Sequence, residues 1–454
     1  MVAMIDRLRQ AAASLADRFW LLPGLSVAAA FVAAVAIVEV DRSGVVPAAL
    51  LRGPWLYNGG TTGARTLLGA VASSTIGVAG TVFSITIAAL SLAAAQMGPR
   101  LLRNFTHDRG VQVALGTFLG TFTFALMVLR TVRDTSEGAF VPHLALSVAI
   151  LLALVSVAML VYFVDHMASR INVDTVVDLV SGDVRRAFER LTSREPGPSR
   201  PPASFWDGAT IVTDVRRGYF ERLDAEGLAD WAAEHRTSLA LAVRLGEYVF
   251  PGAPVSLAMP QVDGVAAAIA SCARVALERT GASDIEFAVR QLVEVAVRAL
   301  SPGINDPATA ISVLDRLAVA LCDLVPRHLP SGVYLRNERV VLVVPQVDYD
   351  GLCDGMFHPI RQYAGGSATV LAHAVDVIVA VARCEREPRR LATLARHVAL
   401  IADDAMRSIP NDADRTDVLE RCATFDAVRR EGAARDLVAR CLDSRGRSPT
   451  ESSE

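Results

Sequence analysis

Four long apolar runs near the start of the chain constrain its fold more than any other sequence feature. They cover residues 19–38, 67–95, 110–129 and 140–164, and none contains Asp, Glu, Lys or Arg. A helix of about 20 apolar residues is long enough to cross the hydrocarbon core of a bilayer. Beyond residue 165, charged residues recur every few positions. The sequence therefore predicts four transmembrane helices within residues 1–170, followed by a water-soluble domain.

The arginines that flank the predicted spans indicate their orientation. Four crossings place both termini on the same side of the bilayer. Ten flanking arginines lie on that side and five on the other. Because short cytoplasmic loops are enriched in Arg, we expect the N-terminus and the soluble domain to face the cytoplasm. The lipid bilayer is thus the first expected partner.

The second and third spans are rich in small and hydroxyl-bearing residues at helical spacing. Such residues let helix backbones approach closely, and their hydroxyls can form hydrogen bonds across the contact. One interpretation is tight helix packing, within one chain or between chains. The other is a weakly polar path through a homo-oligomer. The residues concerned are Ser73, Gly77, Gly80, Ser84, Gly116, Thr117, Gly120 and Thr121.

Arg100 and Arg103 follow the second span directly. If that span lines a path through an oligomer, these arginines form cationic rings at its cytoplasmic mouth and favour small anions. If it does not, they are ordinary interfacial anchors.

Hydropathy and spacing divide the remainder of the chain into four parts. Residues 171–203 predict a connecting helix and a Pro- and Ser-rich linker. Short β-rich segments in 204–260 predict a small barrel-like module, and a further strand at 339–344 is expected to pair within it. Helices dominate 261–443, the first at 262–280, and residues 444–454 form a polar, disordered tail. The predicted fold class is therefore a four-helix membrane domain with a mostly helical α+β cytosolic domain.

The segment Ser-Pro-Gly-Ile-Asn-Asp-Pro, at 301–307, lies between two predicted helices. Ser301, with the Pro-Gly pair after it, ends the first helix in a left-handed turn. Asp306 caps the next helix, whose first residue is a proline, and Asn305 bonds within the turn. The alternative is a small-ligand or ion site, because free N–H groups at a helix start bind anions.

This segment resembles the hallmark of a bacterial family of predicted membrane proteins that is catalogued only as a domain of unknown function. Residues 82–100 and 116–122 are similar to the membrane signature of the same family. The resemblance covers nearly the whole chain. It implies four spans, a cytosolic domain and a location in the bacterial inner membrane, and it brings no catalytic residues.

Several function classes are disfavoured by composition. A net charge of −3 gives no basic face for nucleic acid. The chain contains no lysine, which excludes a Walker A loop and a Schiff-base lysine. The six cysteines form no Cys-x-x-Cys pair, so no metal site or cofactor is expected. With no nucleophile elbow or phosphate loop either, we do not expect an enzyme.

The remaining titratable candidates lie next to the membrane. His166 follows Asp165 at the end of the fourth span, and His107 precedes the third. Imidazole titrates near neutral pH, so these residues are candidate pH sensors as well as ordinary interfacial residues.

Two functional hypotheses follow from the sequence. The first is a homo-oligomeric channel or transporter with a cytosolic assembly or gating domain. The second is a membrane-anchored regulatory or scaffold protein without transport activity. A continuous polar path through an oligomer distinguishes the first from the second.

Overall fold

The computed structural model describes residues 19–43, 59–97, 108–135, 138–171, 173–277 and 285–432. The chain divides into two compact units, Met1–Thr175 and Val176–Glu454. This division lies close to the predicted end of the membrane domain at residue 170. Arg100, Arg103, His107 and the predicted tail at 444–454 lie outside the described residues.

The first unit is built from four long helices and a short hairpin. All four helices are long and apolar enough to cross a membrane. Within the described residues, this confirms the predicted number of four spans. The second extends over 37 residues, well beyond the predicted 67–95. The elements are α1 Leu21–Ser43, α2 Thr61–Met97, α3 Arg109–Leu129, β1 Arg133–Thr135, β2 Gly138–Phe140 and α4 His143–Ile171.

The third helix, α3, lies at the centre of this unit and packs against α1, α2 and α4. Its large side chains Phe118 and Phe124 are almost fully buried. The other three helices keep a broad apolar face exposed, including Val157 and Val161 of α4. An apolar exposed face is what lipid contact requires, since the backbone groups of each span are already satisfied within its helix.

Polar contacts fasten the ends of these helices to one another. The carboxylate of Asp41, in the last turn of α1, accepts hydrogen bonds from the backbone N–H groups of Leu144 and Ala145 at 3.1 and 2.9 Å. It thereby satisfies donors in the first turn of α4, which have no partner within that helix. Arg65 of α2 donates to the carbonyl of Val132 at 3.2 Å.

The second unit combines nine helices, among the residues described, with eight strands. The helices are α5 Val173–Leu191, α6 Ala225–Glu234, α7 Val265–Cys272, α8 Ile285–Ala299, α9 Pro307–Leu324, α10 Tyr349–Tyr363, α11 Ala368–Cys384, α12 Pro388–Ser408 and α13 Asp412–Glu431. The strands are β3 Thr210–Thr213, β4 Gly218–Leu223, β5 Ser238–Leu241, β6 Tyr248–Val249, β7 Pro254–Met259, β8 Ala273–Ala276, β9 Val333–Arg336 and β10 Arg339–Val343.

The strands form two open sheets, and neither closes into the barrel that was expected. One has five strands in the order β3-β7-β5-β10-β9, and the other has three in the order β6-β4-β8. β10 pairs in parallel with β5, which confirms the expectation that the strand at 339–344 pairs within the β part. Apolar side chains of both sheets share one core with α6 and α7.

The helix expected at 262–280 is shorter in the structure. α7 ends at Cys272, and the chain continues directly into β8, which pairs with β4 through Ala273 opposite Leu223. The alternating pattern of a four-residue strand is too short to be separated from helical periodicity in an alanine-rich stretch. Helical periodicity in the sequence also predicts helices at 284–300, 307–325, 349–363, 367–385 and 389–408. The helices α8 to α12 follow these five ranges closely.

Candidate functional site

One face of α2 carries small and hydroxyl-bearing residues and is exposed. Ser73, Gly77, Gly80 and Ser84 all lie on it, whereas Leu68 on the opposite face is fully buried. A Cβ atom added to Gly77 or Gly80 meets no other atom within 4 Å. This face of α2 therefore has no packing partner within the described part of its own chain.

The hydroxyl groups on this face are satisfied within the helix. Ser73 Oγ donates to the carbonyl of Gly69 at 2.8 Å, and Ser84 Oγ donates to that of Gly80 at 2.9 Å. A serine hydroxyl keeps acceptor capacity after donating its proton. The face is thus weakly polar and uncharged, which suits either close helix contact or a path for solutes.

The small residues of the third span are placed differently, because they pack inside the unit. Gly116 and Gly120 are buried against α1, and a Cβ atom on Gly116 would lie 2.6 Å from Ser26 Oγ. Thr121 is buried, and its hydroxyl forms a hydrogen bond of 3.1 Å with Ser156 of α4. Thr117 is half-buried and donates to a carbonyl of its own helix. Gly116, Gly120 and Thr121 thus hold α1, α3 and α4 together.

A histidine–aspartate pair lies at one end of the membrane unit. His166 Nε2 is 2.9 Å from Asp108 Oδ2, and Asp108 also caps α3 by accepting from the backbone N–H of Gly110. The ring of Tyr162 stacks on that of His166, with centroids 5.3 Å apart. A Cβ atom on Gly110 would lie 2.7 Å from His166 Nε2, so glycine makes room for the pair. Asp165, the neighbour named from the sequence, is exposed instead.

The partner of His166 was missed in the sequence because it lies 58 positions away. The sequence around Asp108 carries a local signal only, because an aspartate just before an apolar run is typical of a helix N-cap. That signal predicts the cap and gives no information about the histidine.

The 301–307 segment forms a compact turn whose polar groups bond within it. Ser301 Oγ donates to the carbonyl of Arg298 at 2.6 Å, and the Ser301 carbonyl accepts from the N–H of Asn305. Asp306 caps α9, since its carboxylate accepts from the Thr309 N–H at 3.2 Å. The left-handed residue is Asn305, with φ of 49°, and not the glycine of the Pro-Gly pair. Asparagine adopts this conformation more readily than other non-glycine residues.

An open cleft of about 780 Å³ lies within the second unit, where the first turns of α10 and α12 approach the loop that precedes β9. Its lining carries both positive and negative side chains, namely four arginines and three acidic residues. The charged lining residues are Arg200, Asp348, Asp350, Glu387, Arg389, Arg390 and Arg396.

Arg390 fixes one side of this cleft. It is buried, pairs with the buried Glu385 at 3.4 Å, and donates to the carbonyl of Arg327 at 2.8 Å. Its guanidinium lies 5.1 Å from the centroid of the Tyr349 ring. Burial, the largest cause, raises the pKa of the Tyr349 hydroxyl, which therefore stays protonated.

A polar seam joins α10 to α12 beyond the cleft. Thr393 donates to Asp350, Arg396 lies 2.6 Å from Asp354 Oδ1, and Arg361 pairs with Asp404. The residue numbers of the paired side chains increase along both helices, so α10 and α12 run in the same direction.

In the middle of the seam, Asp354, His358 and His397 bring one ligand atom each to within 4.8 Å of one another. No such trio was expected from the sequence.

The comparisons with known proteins identify the family and assign no activity. The family model described as "Predicted membrane protein (DUF2254)" matches residues 16–380. The chain is 30% identical to "Uncharacterized protein MT1328" of Mycobacterium tuberculosis (strain CDC 1551 / Oshkosh), over 95% of this chain and 84% of the relative. The same identity and shares hold for "Uncharacterized protein Mb1321c" of Mycobacterium bovis. No solved structure matches. The chain therefore belongs to the DUF2254 family of predicted membrane proteins.

Proposed function

We propose that this protein is a homo-oligomeric channel or transporter in which the α2 helices of several copies surround a shared path. The observation that carries the proposal is the exposed face of α2, where Ser73, Gly77, Gly80 and Ser84 have room for a neighbour. Spans associate through small residues because these let the backbones approach closely. The small residues of α3 already pack against other helices of the same chain. The exposed face of α2 is therefore the one available to a second copy.

The chemistry of this face favours a weakly selective path. Its serine oxygens can still accept hydrogen bonds, and it carries no charge between Thr66 and Gly98. Arg100 and Arg103 follow in the sequence and add positive charge. Since rings of arginine attract anions, we propose small anions as the transported class.

The C-terminal unit then serves assembly or gating rather than catalysis. Its charged cleft is large enough for a small ligand, because ligand pockets typically measure about 300–1,000 Å³.

We further propose that both termini face the cytoplasm of a bacterial cell, across its inner membrane. The excess of flanking arginines on that side supports this orientation. Reporter fusions at Gly53, Asn104 and Ser136 test it. Asn104 is expected to report inside and the other two outside; the reverse pattern contradicts the orientation.

Thiol labelling during anion flux tests the proposed path. All six native cysteines follow residue 271, so a cysteine introduced into a span is alone there. In liposomes, a charged thiol reagent is expected to reduce flux through Ser73→Cys and to leave the wild type unaffected. Val157→Cys is the matched control, because Val157 lies on the exposed apolar face of α4.

A different result favours the scaffold hypothesis. If the wild type carries no flux, or if the reagent acts equally on Ser73→Cys and Val157→Cys, α2 does not line a path. The spans then serve as an anchor for the C-terminal unit.

A further inference from the structure

The Asp354, His358 and His397 cluster in the C-terminal unit has the composition of a metal site. Asp354 and His358 are one turn apart on α10, and His397 reaches them from α12. Two imidazoles and a carboxylate are a common ligand set for Zn²⁺ and other divalent transition metals. The cluster is independent of the path proposed along α2.

The spacing of the ligand atoms fits a single ion. His358 Nε2 and His397 Nε2 each lie 3.1 Å from Asp354 Oδ1. Two ligands that are each about 2.0 Å from a tetrahedral zinc ion are separated by about 3.3 Å. The three side chains are thus nearly in place, and only small rotamer adjustments are needed to receive an ion.

The burial of His397 is the observation that points to a missing partner. Its side chain is fully buried, and neither ring nitrogen forms a hydrogen bond. The 3.1 Å approach of Nε2 to Asp354 is close, but its geometry does not make a hydrogen bond. A buried polar group without a partner costs about 1–3 kcal/mol, so native proteins rarely leave one. An ion bound at Nε2 would give this nitrogen the partner that it lacks.

Two arginines face the cluster and must be accommodated. Arg396 lies 2.6 Å from Asp354 Oδ1, the oxygen that both histidines approach. A carboxylate offers about four lone-pair sites on its two oxygens, so binding an ion at Oδ1 leaves Asp354 able to accept from Arg396 as well. Arg361 lies 3.5 Å from His358 Nδ1 and pairs with Asp404. Coordination through His358 Nε2 places the ring proton on Nδ1, so Arg361 must turn fully towards Asp404.

We propose that Asp354, His358 and His397 bind a divalent transition-metal ion that joins α10 to α12. His358 and Asp354 are partly exposed, which gives the ion a route from solvent. Three protein ligands leave a coordination position for water or another small molecule.

Metal analysis of the full chain in detergent tests this proposal. After treatment with a chelator and dialysis against Zn²⁺, the wild type is expected to retain one zinc per chain and to melt at a higher temperature than the stripped protein. His358→Gln and Asp354→Asn are expected to lose both effects. His358→Cys, which restores a zinc ligand, is expected to recover the metal.

His373→Gln is the matched control. His373 also pairs with an aspartate, Asp315, at 2.7 Å in the same unit, and it lies outside the cluster. This variant is expected to bind zinc as the wild type does. The proposal is overturned if the wild type retains no zinc, or if His358→Gln and Asp354→Asn retain as much as His373→Gln. In that case the seam is only a set of polar contacts between helices.

Discussion

Asp306 stabilises the start of α9 through both oxygens of its carboxylate. Oδ1 accepts from the Thr309 N–H at 3.2 Å, and Oδ2 accepts from the Thr309 hydroxyl at 2.6 Å. Replacing a capping aspartate with alanine leaves a helix N–H unsatisfied and costs about 1 kcal/mol. We expect Asp306→Ala to lower the unfolding free energy by about this amount, and Asp306→Asn, which keeps an acceptor oxygen, to lower it less.

Denaturant unfolding of the purified variants, measured beside liposome flux, checks this expectation. A loss of flux in Asp306→Ala with unchanged unfolding would instead identify the 301–307 segment as a ligand site.

Asp214 supplies a pH-dependent contribution to the stability of the C-terminal unit. Hydrogen bonding to the Arg216 guanidinium lowers the pKa of this carboxyl below its ordinary value, against the opposing effect of burial. Because the folded state then holds the proton less tightly than the unfolded state, the contribution is present at neutral pH. It begins to be lost as the pH falls past about 4, and it is gone below the folded pKa.

We expect Asp214→Asn to destabilise the protein by about 1 kcal/mol at pH 7, and the difference from wild type to shrink in acid. Denaturant unfolding across the pH series measures it. Asp207→Asn, at an exposed position nearby, is the control. A difference that stays constant with pH would show that the Asp214 charge is not involved.

Single residues were predictable from the sequence only where their partners are local. Asp306 and its cap follow from the Asp-Pro step, because the contacts span three positions. The pairing of His166 with Asp108 spans 58 positions, and the His397 cluster draws on two helices with a third between them. Such contacts depend on tertiary packing, which spacing along the chain does not encode.

Elements with strong periodicity were predicted well, and two short strands were missed. The four spans and the helices from α8 to α12 are long enough for their apolar pattern to identify them. β8 and β9 have four residues each and were missed, because their positions are fixed by pairing with β4 and β10. The small residues of α2 and α3 looked equivalent in the sequence, yet the structure buries one set and exposes the other.

Because of that difference between α2 and α3, we expect a glycine-to-valine substitution to lower stability in α3 and to leave it unchanged in α2. Gly116→Val places atoms into Ser26, since even a Cβ atom would lie 2.6 Å from Ser26 Oγ. Overpacking of this kind typically costs about 1–3 kcal/mol. At Gly77 an added Cβ atom has no neighbour within 4 Å from another element of the described part of the chain, so we expect Gly77→Val to leave the fold of a single copy intact.

Thermal unfolding of single copies isolated in detergent compares the two variants. We expect a lower melting temperature for Gly116→Val and an unchanged one for Gly77→Val. Equal melting temperatures would contradict the packing of α3 against α1.

At the scale of the whole molecule, the charge distribution predicts a membrane domain followed by a larger soluble one, and the chain divides into two compact units after Thr175. A strand at 339–344 was expected to pair within the β part, as β10 does, but its partner β5, about 100 positions earlier, was not predicted. A parallel pair of this kind requires a long connection, and local sequence does not specify which strands it joins.

In the proposed channel or transporter, copies of this chain assemble through the exposed face of α2. The mass of the particle in lipid nanodiscs, measured by native mass spectrometry, tests this assembly most directly. We predict several copies per particle for the wild type and a single copy for the double variant Gly77→Val, Gly80→Val, whose added side chains block close approach. A wild-type particle with one copy, or a double variant with the wild-type mass, would contradict assembly through this face of α2.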